Sequence, residues 1–294
     1  MADVAVLPAA PRPLRRRHTA TRFVAAAVAL YGALVVLGPW LAPYDPGAAD
    51  FFNRLAAPTL AHPLGTDALG RDVLSRLLTG FQTTPVAAAA VVAVALGIGG
   101  AAGLVCASAG GLLDRAMMRL AEGLMTVPAL AVALAIAGVL GIGLTTVVIS
   151  LAVVHAAEYA RLIRNAALAE WASTHVLAAR ALGASPLRIT VRHVAPGLVR
   201  PVLTMAAFSF SWAMLSFAGL SFLGLGTPPG ASEWGAMIAE ARSHMRAHPH
   251  LVLAPGLAIV ATVLGANLIG DWLGDRRSRP VLLFTPPIRN KETS

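Results

Sequence analysis

Few residues in this chain could do covalent chemistry, and none stands at a spacing that catalysis uses. A phosphate-binding loop requires G-x-x-x-x-G-K-[ST]. Of the 294 residues a single one is lysine, Lys291, and it is followed by Glu292. The chain therefore cannot be its own P-loop ATPase, and energy for any work must come from partner chains or from an ion gradient. No G-x-S-x-G, no H-E-x-x-H and no pair of carboxylates within an apolar stretch occurs, so nothing supplies a nucleophile or a hydrolytic metal site. In HMRAHPH, His244 and His248 lie one helical turn apart and His250 follows, but Pro249 breaks the register; no metal is assigned to them. His155, beside Glu158, either lines a path or bonds a neighbouring helix. The one cysteine, Cys106, reads as a packing residue, since neither a disulfide nor a cysteine metal cluster can be built from it.

The elements that hold these residues follow from composition. Hydrophobic residues make up 57% and charged residues 13%, with a mean hydropathy of +0.71, where a soluble domain is about one quarter charged. This excludes a soluble globular enzyme and a disordered chain. The net charge of +9 and the isoelectric point near 11.2 would suit nucleic acid only on a charge-rich surface, which is missing; the basic excess belongs to a membrane topology.

Uncharged runs occupy 23–44, 77–113, 123–157, 201–232 and, His248 and His250 aside, 247–270. A bilayer core needs about 20 helical residues. The first run lacks a small-x-small cleavage site and reads as an uncleaved anchor. The run 123–157 is either one long helix or two spans meeting at Gly141-Ile142-Gly143. Two spans place 18 Lys and Arg in cytoplasmic segments and 5 outside, and one span places 9 inside and 14 outside. The positive-inside rule selects the first. The expected fold is an all-α membrane protein of six transmembrane helices near 22–42, 85–107, 117–140, 144–160, 201–222 and 251–271, with both termini cytoplasmic. The tails are 1–21 and 272–294, the outer segments 43–84 and 223–250, and the long inner loop 161–200.

That loop has its own grammar. Residues 170–182, EWASTHVLAARAL, are helix formers, and Gly183 follows where a left-handed cap belongs. Ser185 then Pro186 form an N-cap and first helical position for a short helix, LRITVRHV, that Pro196 is expected to stop. Elsewhere, Gly99 and Gly103 form a GxxxG for close helix packing. Ser209, Ser211, Ser216 and Asn267 are polar groups within spans that must face other helices or a water-filled path. Asp67, Arg71, Asp72 and Arg76 alternate in sign. On a solvated helix the pairs 67/71 and 72/76 are worth about 0.2–0.5 kcal/mol each.

The inner loop resembles the cytoplasmic EAA loop of inner-membrane permease subunits of bacterial ATP-binding-cassette importers. That pattern is Glu-Ala-Ala, three residues, Gly, nine residues, then Ile-x-Leu-Pro. It falls here on Leu177, Ala178 and Ala179, on Gly183, and on His193 to Pro196. The alanines, Gly183 and Pro196 fit; Leu177 stands in place of the glutamate, and His193 and Ala195 in place of the Ile and Leu. The strings LAPYDP (41–46), HPLGTDALGRDVLSRLLTG (62–80), EYARLIRNA (158–166), LSFLGLGTPP (220–229), EWGAMI (233–238) and PGLAIVATVLGANLIGDWL (255–273) extend the likeness nearly end to end. They narrow it to the C-type permease of dipeptide, oligopeptide and nickel importers.

The resemblance implies a type I importer transmembrane domain over 85–271 in the bacterial inner membrane. It also implies a second homologous permease, two ATP-binding subunits carrying ATP and magnesium, and an extracytoplasmic substrate-binding protein; this chain itself would bind no cofactor and no nucleic acid. The ATPase contact would be made by Leu177, Ala178, Ala179, Gly183, Ser185, Pro186, His193 and Pro196, and the outer segment would meet the binding protein or the second permease. The expected cargo is short peptides, with nickel or another small solute as the alternative and a gradient-driven carrier further behind.

Overall fold

The computed structural model describes residues 14–275, with side chains placed for 26–274. The expected tails are thus seen only from Leu14 and only as far as Asp275, and Lys291 lies outside the described residues. Apart from one isolated bridge between Thr66 and Asp72, the regular elements among those residues are helical. They are α1 (Leu14–Leu41), α2 (Val73–Ala109), α3 (Gly111–Thr126), α4 (Ala129–Leu140), α5 (Leu144–Trp171), α6 (Thr174–Ala181), α7 (Pro186–Ile189), α8 (Ala195–Phe222), α9 (Trp234–Ala241) and α10 (His250–Asp275). Short 3₁₀ turns sit at Phe51–Asn53 and Arg242–His244, and a π turn at Thr190–Val194. Four helices are long and apolar enough to cross a membrane: α2, α5, the stretch Pro186–Phe222 containing α8, and α10. The bent pair α3 and α4 makes a fifth if it is one span, and the apolar part of α1, Ala26–Leu41, is shorter.

Three expectations about the elements are corrected. The span placed at 117–140 is broken: α3 and α4 meet at 93°. Pro128 forces Val127 into extended backbone (φ −84°, ψ 127°), because a residue before proline avoids the helical region. The helix that contains the span placed at 85–107 begins twelve residues earlier, at Val73, where the Asp72 carboxylate accepts from the Ser75 N–H at 2.7 Å as an N-cap; the helix then passes through Pro85. Pro196 does not stop a helix. It sits in the first turn of α8, and the chain reaches it through a π turn in which the Ala195 N–H bonds the Thr190 carbonyl. The wider turn accommodates a ring that would otherwise clash with the preceding turn.

Contacts between named residues fix the directions. Gly38 packs on the Leu78 carbonyl and Tyr31 stacks edge-on against Phe81, so α1 is antiparallel to α2. Gly99 meets Ala156 and Gly103 meets Ala160, so α2 and α5 run parallel. Gly270 meets Phe208, and Ser211 meets Val263 and Asn267, so α8 and α10 are antiparallel. The helices thus share two ends. One carries the connections 42–72 and 223–249, here called the cap, and the other carries α6 and α7, here called the elbow.

The core runs along α2 and α5, with Ala88, Val91, Ala95, Val147, Leu151 and Ile163 buried. At Gly99 and Gly103 even a methyl group would overlap backbone of α5, so the GxxxG expectation becomes an observed close approach against Ala156 and Ala160. Replacing Gly99 or Gly103 by leucine is expected to destabilise by about 1–3 kcal/mol or more through overpacking. Gly138→Leu, where nothing lies within 4 Å, should be neutral. Melting temperatures of the purified variants in detergent check both outcomes.

Candidate functional site

The elbow is built from local signals that act as the sequence suggests, with one shift. α5 runs on to Trp171, and a break at Ala172 and Ser173 separates it from α6, so the helix expected over 170–182 is two pieces. After α6, Gly183 has φ +80°. Its N–H bonds the Arg180 carbonyl at 3.0 Å, and the Ala184 N–H bonds the Ala179 carbonyl at 3.2 Å. These two bonds are the Schellman closure, which needs the left-handed residue that glycine supplies. Ser185 caps α7 through its hydroxyl, accepting from the Arg188 N–H at 3.4 Å, with Pro186 in the first turn.

Val176, Ile189 and Val194 point inward and are fully buried. They anchor an outer face on which Leu177, Leu182, Leu187 and Val191 are exposed, Leu182 by 89%, among the exposed Arg180, Arg188 and Arg192. Of the residues expected to make the ATPase contact, Leu177, Ala178, Gly183, Ser185, Pro186 and Pro196 are exposed, and Ala179 and His193 are half-buried. The His193 ring lies 6.2 Å from that of His175, whose Nε2 is 3.5 Å from Glu170. Behind the elbow, Arg164 on α5 holds Asp114 on α3 with both ends of its guanidinium.

Within the helices, the four polar residues expected to face a path or a neighbour divide. Ser211 donates to Asn267 Oδ1 at 2.9 Å and approaches the Val263 carbonyl at 3.3 Å, tying α8 to α10. Ser209 and Ser216 are half-buried on α8. His155 is buried and its Nδ1 lies 3.1 Å from Glu158. His248 and His250 face each other edge-on at 5.9 Å, and among the described residues no group of three His, Cys, Asp or Glu could hold a metal ion. Cys106 is buried and unpaired.

The cap holds what sequence reasoning missed. Asp67, Arg71, Asp72 and Arg76 are all buried, Arg76 to 1% exposure, so the solvated-helix alternative to a contact of this outer segment with the binding protein or second permease is overturned. Only the 67/71 pair forms, at 2.7 Å, in a turn ahead of α2. Asp72 instead caps α2 and accepts from Ser75, with His62 Nδ1 at 2.9 Å. Arg76 reaches Asp67 at 2.6 Å and Glu240 at 2.9 Å, and donates to the Ala231 carbonyl. Arg71 joins Glu240 at 2.7 Å and the Gly230 carbonyl at 3.1 Å. Two arginines and two carboxylates thus neutralise one another across 164 and 169 residues of chain.

Next to this cluster, Glu233 is fully buried at the start of α9. It accepts from the Gly235 and Ala236 N–H groups and from the Thr84 hydroxyl. Burial pushes its carboxyl above the usual range, while those three donors pull it back. Trp234 donates to the Leu77 carbonyl and packs edge-on against Phe81 and over Gly80. The available signal was the presence of six acids and five bases in segments 43–84 and 223–250 of a chain otherwise poor in charge.

Among the described residues the long apolar helices and the exposed apolar elbow at one end define a helical membrane protein. Residues 99–279 match the family described as binding-protein-dependent transport system inner membrane component, and the chain belongs to that family, as an inner-membrane permease of the ABC importers related to peptide and nickel systems. It is 40% identical over 252 residues to the nickel transport system permease protein NikC of Escherichia coli (strain K12), an overlap covering 84% of this chain and 90% of that one. It is 38% identical over 265 residues to the glutathione transport system permease protein GsiD of Escherichia coli O6:K15:H31 (strain 536 / UPEC), covering 90% and 87%. The same figures hold for GsiD of Shigella boydii serotype 4 (strain Sb227). The protein is accordingly a multi-pass inner-membrane protein.

Removing one partner from the buried cluster is expected to be costly and removing an exposed one is not. Asp67→Asn should destabilise by about 3–5 kcal/mol, because it leaves buried guanidinium charge uncompensated. Arg119→Gln, at an exposed pair 3.9 Å from Glu122, should change stability by less than about 1 kcal/mol. Thermal unfolding of the two variants in the same detergent makes the comparison.

Proposed function

We propose that this chain forms half of the membrane pathway of an ATP-driven importer. A second, homologous permease forms the other half, and two separate ATPase subunits bind ATP and magnesium and drive the cycle through loop 161–200. An extracytoplasmic binding protein delivers the cargo to the cap. In this reading the chain crosses the membrane six times, with α3 and α4 as one bent crossing; the elbow is cytoplasmic and the cap lies outside. The supporting observation is the elbow itself: a rigid turn, closed by Gly183, that displays Leu177, Leu182, Leu187 and Val191 to solvent, an arrangement suited to an apolar groove on a partner. Leu177, where the family has glutamate, extends this apolar face. α5 and α8, which enter and leave the elbow, carry its displacement into the bundle.

Short peptides are the proposed cargo, a reading supported by the glutathione permease relatives. Nickel is the second reading, supported by the relation to a nickel permease; uptake of labelled peptide and of radioactive nickel by cells carrying the whole system separates them. Ser209, Ser216, Ser211 and Asn267 are the candidate path residues. Because Ser211 already donates to Asn267 and Ser209 lies beside the Tyr159 hydroxyl, Ser216 is the better positioned of the three serines.

Two substitutions test the elbow. Leu182→Asp puts a charge on the apolar face without touching the buried anchors, and Gly183→Trp forces a side chain into a left-handed position. Both proteins should insert at normal levels yet lose ATP-dependent uptake and co-purification with the ATPase subunits. Normal assembly and uptake in both would remove the elbow from the coupling path.

A further inference from the structure

The connection between α1 and α2 exposes large apolar side chains on a rigid scaffold. Phe52 is 100% exposed, Leu60 is as open, and Phe51 is 65% exposed. The backbone beneath them is tied down. Asp50 accepts from the Phe52 N–H at 3.0 Å and from the Asn53 side-chain amide at 2.7 Å. The Asn53 carbonyl accepts from the Thr66 hydroxyl. Arg54 donates to the Ala68 carbonyl at 2.6 Å, and the Leu55 N–H to the Asp67 carbonyl at 3.0 Å. Leu55 itself is held at φ +53°, a conformation a branched side chain adopts only when its surroundings enforce it.

The depth of this turn in the bilayer can be read from its contacts. The 19 uncharged residues from Phe23 to Leu41 are about 28 Å of helix, the thickness of a hydrocarbon core of about 30 Å. With α1 as the first crossing, on which this inference rests as in the proposed function, the boundary on the cap side falls at the end of α1, where exposed Trp40 and Tyr44 stand as aromatic side chains do at such boundaries. The Tyr44 N–H bonds the Ser75 hydroxyl at 3.1 Å, which sets the first turn of α2 level with that boundary. The Thr66 hydroxyl donates to the Asn53 carbonyl, and the carbonyl of the preceding Gly65 accepts from the Val73 N–H at 3.1 Å, so the Phe51–Asn53 turn lies within about 10 Å of the start of α2. A headgroup layer is about 5–7 Å thick per leaflet. Leu60 is drawn to the same level, because the Tyr44 hydroxyl donates to the Ala61 carbonyl at 3.1 Å and the Tyr44 ring packs on His62 at 4.8 Å.

We infer that Phe51, Phe52 and Leu60 form a foot seated in the headgroup layer of the outer leaflet, whose partner is the lipid surface. Between residues 45 and 62 the charges are Asp45, Asp50 and Arg54. The foot therefore has no cationic excess to draw it to anionic lipid, and its insertion is apolar. Through Asp67 and Arg54 the foot is continuous with the buried ion cluster, so it holds the cap at a set depth while the elbow end moves.

The test uses the full chain with Cys106 replaced by alanine, so that one introduced cysteine carries an environment-sensitive fluorophore, in nanodiscs of phosphatidylcholine alone. The label at Phe52→Cys should be quenched by lipid spin-labelled near the headgroup and be several-fold less accessible to aqueous iodide than a label at Leu182→Cys on the elbow. The Phe52 side chain is fully exposed, so its replacement removes no protein packing. Iodide access at 52 equal to that at 182, with no quenching by spin-labelled lipid, would overturn the inference. So would shielding that arises only when the partner subunits or the binding protein are added, since the foot would then be a protein docking surface.

Discussion

The approach of α2 to α5 is the contact on which the rest of the molecule depends. In lipid, helices gain little from hiding apolar side chains from one another, so association rests on how closely the backbones can pack. Gly99 and Gly103 bring α2 onto Ala156 and Ala160 with no room for a methyl group. With that pair fixed, α1 lies against the cap half of α2 through Gly38, Tyr31 and Phe81, and α3 is tied to α5 by the Asp114–Arg164 pair. α8 and α10 add a second antiparallel pair, joined by Ser211 and Asn267.

The two ends of this scaffold are built on opposite principles. At the cap, Asp67, Arg71, Arg76 and Glu233 are buried and Glu240 is half-buried, and these groups bond to one another, to backbone carbonyls and to helix N–H groups. Separating α9 from α2 there would break the bonds of Arg71 and Arg76 to Glu240 and leave charges of the cluster without their partners. At the elbow there is little of this kind: a glycine turn, a serine cap and three buried anchors carry an exposed apolar face. In the proposed coupling, a displacement applied at the elbow would be passed along α5, an unbroken helix of 28 residues and about 42 Å, into the packed α2–α5 core.

The sequence made the elbow legible because its determinants are local. Gly183, Ser185 and Pro186 each act on their own few backbone atoms, and each does in the structure what its type dictates. Charge counting likewise placed a break at Gly141 to Gly143, where α4 ends and α5 begins. Two kinds of feature were hidden. Pro128 lies inside an uncharged run whose hydropathy masks the bend it causes, and Pro196 reads as a terminator unless a π turn is allowed to take up its ring. The cap cluster was misread for a different reason. Spacing rules pair Arg76 with Asp72, four residues away, but in the fold its partners are Asp67 and, from 164 residues further along, Glu240. Choice among such partners is made by tertiary packing, which no local window contains.

The proposed coupling of this chain to separate ATPase subunits is tested most directly by reconstituting it with and without its energy source. Cargo uptake would be followed in proteoliposomes holding this chain, its permease partner and the binding protein, first with the ATPase subunits and ATP, then with the ATPase subunits omitted and a proton or sodium gradient imposed. Uptake is expected only in the first case and should stop when ATP is replaced by a non-hydrolysable analogue. Sustained uptake driven by the gradient without the ATPase subunits would contradict the assignment and make the protein a secondary carrier.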